Sequence, residues 1–213
     1  MNKFMINRLK LPGFREDVSM QIDTRKAELQ IVFQCAPLLS GLKISNLLII
    51  DECLSKAVVQ ILSVTDISIY WLVCSQNRLS FLLYKDKELR EYLLRNDVNK
   101  MLDQNGYGGL GVEQALQLLS GRYRCYMEKK GDFPHEIGLF LGYPVEDVEG
   151  FIKNGGKNCL YTGYWKVYGN MAEKAKLFER FDYVRELMVL LVYHGAELSE
   201  IIDIFHSKNH MIL

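Results

Sequence analysis

The chain has 213 residues, 49% hydrophobic and 24% charged, with 26 basic residues against 26 acidic ones. This composition excludes a disordered, a collagen-like and a strongly basic chain, and the length suffices to bury roughly 70% of the unfolded surface, enough for one core or two small ones. A net charge of zero gives no global attraction to nucleic acid or anionic lipid.

Residues 1–17 open on a charged stretch that is no secretory signal and carry a Pro12-Gly13 turn signal. Helical spacing of Leu29, Val32, Phe33 and Ala36 predicts a helix over 23–39 that Pro37 ends or kinks. A short helix follows over 54–62. Residues 67–74 and 78–84 are dense in β-branched and aromatic side chains, and the link Ser75-Gln76-Asn77 between them makes an antiparallel hairpin. The period then turns helical, over 87–94 and 98–104, with a break at Asn96-Asp97, and again over 112–127. A close helical pair is predicted over 133–141 and 145–152 around Gly142-Tyr143-Pro144. Residues 158–168 read as an aromatic strand, 171–194 as a long amphipathic helix closed by Gly195, and 199–205 as a last short helix.

The expected class is α+β, mostly helical with a central antiparallel β-hairpin and a late aromatic strand. It reads as a single domain over 1–213 with a soft subdivision at the glycine-rich segment 105–111, a hairpin-containing half at 1–104 and a helical half at 112–213. The most apolar stretches, 67–74 and 187–193, are shorter than the about 20 residues a bilayer demands.

The five cysteines, at 35, 53, 74, 125 and 159, form no CxxC pair. An odd count without disulfide spacing points to a reducing, cytoplasmic setting. Each reads first as a small apolar side chain. Cys35, in Cys35-Ala36-Pro37, sits near a helix C-terminus, where the dipole does not stabilise a thiolate. Pro37 and Gly41 could expose it and Lys43 could supply charge, so packed and reactive thiols both stay open.

Gly106-Tyr107-Gly108-Gly109-Leu110-Gly111 matches GxGxxG, but the fingerprint needs a buried strand before it, and residues 99–105 are polar and helical. The glycines read instead as a helix stop with positive φ. His135-Glu136 begins like HExxH, yet Leu139 stands where the second imidazole belongs, so no zinc motif is present. His206 and His210, four apart, read as a solvated tail. No metal site is expected. Residues 133–148 carry a helix-turn-helix pattern, but Glu146, Asp147 and Glu149 on the second helix would repel phosphates, which makes nucleic acid an unfavoured partner.

The most unusual segment is Gly163-Tyr164-Trp165-Lys166-Val167-Tyr168-Gly169. On a strand, Tyr164, Lys166 and Tyr168 would share one face, a cation between two phenols, with Trp165 and Val167 on the other. That face suits an anionic or planar small molecule; a cross-strand aromatic ladder with a snorkelling lysine is the other reading. Residues 153–180 hold six basic side chains against two acidic ones, a modest positive patch.

Residues 35–43 (Cys-Ala-Pro-Leu-Leu-Ser-Gly-Leu-Lys), 133–144 (Phe-Pro-His-Glu-Ile-Gly-Leu-Phe-Leu-Gly-Tyr-Pro) and 163–169 resemble the bacterial family known as domain of unknown function 3793, over about residues 30–195. The resemblance implies a stand-alone bacterial cytoplasmic protein and an association with flavodoxin-like or iron-related functions. It assigns no reaction and no cofactor. Cys35, His135, Glu136, Tyr164, Trp165 and Lys166 occupy its motif positions.

The expected function is a small-molecule or redox-linked pocket built from the 135–138 and 163–169 segments. His135 would donate a proton or anchor a hydrogen bond, and Glu136 would orient it. Lys166 would neutralise an anion, Tyr164, Trp165 and Tyr168 would line or support the wall, and Cys35 would be the sulfur centre if it reaches the same place. Two other readings stand beside it: a helix-turn-helix-like DNA-binding regulator, and a protein-interaction module without catalysis. Pro134 at a helix start with Glu136 in the first turn gives His135 and Glu136 a purely structural account.

Overall fold

The computed structural model describes residues 20–209. The Pro12-Gly13 turn and the side chains of His206 and His210 lie outside the described residues. The α+β class is as expected: helices dominate, with a three-stranded antiparallel sheet and a two-stranded one. No helix among the described residues is long and apolar enough to cross a membrane. The chain divides into two compact units, residues 1–85 with 184–213 and residues 86–183.

The first unit is built on α1 (Met20–Leu39), β1 (Ser45–Asp51), α2 (Ser55–Leu62), β2 (Ile67–Ser75) and β3 (Arg78–Lys85), with α9 (Leu198–Asn209) and the later part of α8 (Met171–Tyr193). Ala27, Ile31, Val32, Cys35 and Leu39 of α1 pack on Leu48, Ile50, Leu79 and Phe81 of the sheet and on Met188, Val192 and Ile201. Pro37 does not end α1; the helix runs through it to Leu39. Its missing N–H leaves the Phe33 carbonyl without its usual donor four residues on, but the helix continues for only two residues more, and Gly41, at φ +76°, makes the actual stop.

The predicted hairpin is present. Gln76 and Asn77 have φ of +52° and +59°, the two-residue turn whose twist matches paired strands. Its β3 strand is also the centre of a sheet ordered β1-β3-β2. β1 is a strand the sequence reading omits. It pairs antiparallel with β3, with Leu48 opposite Phe81 and Ile50 opposite Leu79. Its outer edge is covered by a side chain: Gln34 on α1 accepts from the Ile49 N–H at 3.0 Å and donates to the Ile49 carbonyl at 3.0 Å. A carboxamide thus takes the place of a fourth strand at that position.

The second unit contains α3 (Asp86–Leu93), α4 (Asn96–Gln104), α5 (Val112–Met127), α6 (Ile137–Phe140), α7 (Val145–Asn154), the pair β4 (Tyr161–Thr162) and β5 (Lys166–Val167), and the earlier part of α8. Two expectations need correction here. The helix expected over 133–141 is only the four residues of α6: Pro134 lacks an N–H and biases Phe133 toward extended backbone. The strand expected over 158–168 is a small hairpin whose strands hold two residues each. The Gly163 N–H donates to the Trp165 carbonyl at 3.1 Å and turns the chain there, so Tyr164 lies in the turn. The shared strand face for Tyr164, Lys166 and Tyr168 is therefore absent.

Candidate functional site

Glycine-rich residues 106–111 end one helix and begin another. After α4, Gly106 takes φ +80° and the Tyr107 N–H donates to the Leu102 carbonyl, a helix-ending pattern. Gly111 then precedes α5, its N–H donating to Gln114 Oε1 at 3.1 Å. The element before the glycines is a helix, so the strand a dinucleotide fingerprint requires is not there.

Glu136 is turned into the protein interior, 5% exposed. One of its oxygens, Oε1, accepts from the Tyr107 hydroxyl at 2.9 Å and from Arg122 Nη1 at 2.6 Å. Arg122 Nη2 donates to the Asn105 carbonyl at 2.8 Å, and its guanidinium lies 4.9 Å from the Tyr107 ring centre. Burial, with the Glu136 carboxylate beside it, pushes the Tyr107 hydroxyl above its ordinary range. These contacts fasten the glycine-rich loop to α5 and to the start of α6. His135, one residue earlier, is exposed, and its ring packs against Phe133 at 5.3 Å and Phe151 at 5.1 Å. Glu136 therefore binds Tyr107 and Arg122.

Each polar side chain of residues 164–168 has a partner within the second unit. The Tyr164 hydroxyl donates to Asp182 at 3.0 Å, the Tyr168 hydroxyl to the Lys157 carbonyl at 3.0 Å, and Trp165 Nε1 to Asp147 Oδ2 at 2.7 Å. The Lys166 ammonium donates to the Gly156 carbonyl just past the end of α7 and lies 5.8 Å from the Phe151 ring centre. The two motif segments thus converge on Phe151, which carries both His135 and Lys166. Trp165 stacks on Tyr143 and meets Phe178 edge-on, with ring centres 4.7 and 4.5 Å apart.

The residue that holds this region is Asp147, which sequence reasoning treated as a surface acid. It is 1% exposed. Besides Trp165, it accepts from the backbone N–H groups of Tyr168 at 2.7 Å and Gly169 at 3.2 Å. Glu146 beside it pairs with Lys174 at 2.8 Å.

A groove of about 710 Å³ runs along α5. One wall is a helical face of Gln114, Gln117, Leu118, Gly121, Arg122 and Cys125; the other is the segment 131–134 with Glu136 behind it. Phe133 is fixed against α5 by edge-on contacts with Tyr126 at 5.0 Å and Tyr123 at 6.0 Å. A second groove, about 660 Å³, is polar and lies between Arg95 and Lys100 on one side and Glu146 and Glu149 on the other. Residues 163–169 line neither groove.

Cys35 belongs to the first unit, His135 to the second. The Cys35 side chain is fully buried and its sulfur lies 4.0 Å from the Leu47 carbonyl oxygen. Burial pushes its thiol up to about 12, which leaves almost no thiolate at neutral pH. Lys43, whose ammonium donates to Asn46 Oδ1 at 3.3 Å, is pulled down by burial to about 8. The two shifts give the stability a distinctive pH profile. From pH 8 to 9 the unfolded chain retains the Lys43 proton that the folded chain sheds, so stability rises by about 1.4 kcal/mol per pH unit. Above the ordinary thiol value of 9.0 the folded chain keeps the Cys35 proton that the unfolded chain loses, and the two slopes cancel up to the ordinary lysine value of 10.5. Urea midpoints of Cys35→Ala against pH are expected to keep rising where the wild type levels off; coincident profiles would contradict this account. Metal-binding side chains do not gather anywhere among the described residues, and all five cysteines are free.

The chain belongs to the family described as Protein of unknown function (DUF3793), whose model matches residues 31–202. Comparison with the curated proteins and with the solved structures finds no match.

Proposed function

We propose that this member of the DUF3793 family is a small-molecule-binding protein whose ligand occupies the α5 groove of the second unit. The observation that carries the reading is Gly121. It stands in the interior of a sixteen-residue helix, where glycine costs about 1 kcal/mol relative to alanine. No close neighbour and no positive φ demands it, because a Cβ there would meet nothing within 4 Å. What the glycine leaves is open space against the groove, opposite Phe133 and Pro134.

In this reading Glu136 is a positioning residue. It holds Arg122 at the groove floor and ties the glycine-rich loop behind it, while residues 163–169 brace α7. Neither the buried Cys35 thiol nor the exposed His135 imidazole is given a chemical step. The Gly121 variants provide the test. Gly121→Ala should raise stability by up to about 1 kcal/mol through helix propensity alone, read as an increased urea midpoint. Gly121→Leu should fold equally well and fill the groove. Native mass spectrometry of freshly purified protein is expected to find a co-purifying molecule on the wild type that is missing from Gly121→Leu; retention by both would move the ligand elsewhere.

A further inference from the structure

We infer that the α5 groove selects a flat, uncharged ring system bearing carbonyl oxygens, such as a bicyclic lactam, over an anion of the same shape. The inference rests on the groove being the ligand site and concerns what that site accepts.

Charge comes first. Arg122 is the cation of the groove lining, and it is neutralised by Glu136 at 2.6 Å. The charge that remains in the lining is Asp132, which is exposed. An incoming carboxylate or phosphate would compete with Glu136 for Arg122 while approaching a second carboxylate. The site is therefore set against anions, in contrast to the expectation attached to Lys166.

The hydrogen-bonding capacity points the same way. A guanidinium has five N–H donors, and Arg122 commits one to Glu136, one to Asn105 and one toward the Tyr107 hydroxyl, so two are left on a side chain that is 36% exposed. Gln114 uses its oxygen for the Gly111 N–H, which leaves its amide hydrogens for the groove. The Gln117 side chain is exposed and has no hydrogen-bond partner among the described residues. Donors thus outnumber acceptors along the α5 wall, which suits carbonyl oxygens on the ligand. Leu118 on one side and Phe133 with Pro134 on the other provide apolar faces for the ring itself.

Three probes matched in size separate the classes: 2-quinolone (neutral lactam), 2-naphthoate (anion) and 2-naphthylmethylamine (cation). Each is titrated into the full chain while the backbone amide signals of residues 117–125 and the Arg122 Nε–H signal are followed. The lactam should bind about tenfold more tightly than the naphthoate, the ratio expected for a ligand that satisfies the donors without a charge conflict. Its affinity should be unchanged between about 0.05 and 0.5 M salt, where charge-driven binding weakens. Tighter binding of the naphthoate or the amine at these same signals would overturn the ligand class and leave the groove standing. Absence of shifts for all three probes, or lactam affinity undiminished in Gly121→Leu, would overturn the groove reading and this inference with it.

Discussion

Asp147→Ala is expected to cost about 3–5 kcal/mol, the range for removing one partner from a buried charged network, enough to unfold the second unit or leave it marginal. Three donors converge on this carboxylate: the Trp165 indole and the backbone N–H groups of Tyr168 and Gly169. Alanine would strand all three around a buried position, Asp147 being 1% exposed while Trp165, Tyr168 and Gly169 are half-buried, and no other side chain among the described residues accepts from the indole. Asp147→Asn separates the contributions. The two backbone donors share Oδ1 and the indole uses Oδ2, so an amide can keep the first pair but sets an NH₂ against the Trp165 N–H. The cost should fall to about 1–3 kcal/mol. Adding Trp165→Phe to Asp147→Asn removes the opposed donor, so the double variant should be less destabilised than the sum of its parts. Strict additivity in urea unfolding would mean that Trp165 and Asp147 do not act as a pair.

The same residue shows where the sequence was legible and where it was not. The hairpin of the first unit could be read because its cues are local: dense runs of β-formers on both sides of a two-residue turn whose positive φ suits Asn77. The long helices were readable from period alone. β1 carried a signal that went unread, the apolar run Leu47-Leu48-Ile49-Ile50 between polar ends, and such a run is ambiguous between strand and helix without its partner β3. Asp147 had a fainter signal, since Pro144, Val148 and Phe151 share its helical face; nothing local told it apart from Glu146 and Glu149, because its three donors come from about twenty residues downstream. Residues 163–169 stood out because aromatic and charged groups are concentrated there. That concentration reflects a hub of packing in which Tyr164, Trp165 and Phe178 pack together. The groove was invisible in the sequence because its identifying feature is an emptiness beside Gly121, and its two walls meet through the contacts of Phe133 and the Glu136–Arg122 pair, which join residues that no local pattern links.

Glu136 is the second place where a single carboxylate carries a network, and its replacement should separate stability from binding. Glu136→Ala leaves the buried Tyr107 hydroxyl without an acceptor and the Arg122 charge without its counter-ion, an expected loss of about 2–4 kcal/mol. Glu136→Gln keeps an oxygen for both donors and forfeits only the charge, so about 1 kcal/mol is expected. The glutamine variant therefore remains folded and carries the informative change. With the carboxylate gone, Arg122 becomes an uncompensated cation at the groove floor, and the preference among flat ligands should shift toward the anion: naphthoate should gain relative to quinolone. Amide hydrogen exchange at Tyr107 and Leu110 should quicken in both variants, more in the alanine one, because the loop between α4 and α5 loses its tie to α6. If Glu136→Gln leaves both the ligand preference and the loop exchange as in the wild type, then Glu136 neither tunes Arg122 nor restrains the glycine-rich loop, and the link between the motif at 133–144 and the groove is broken.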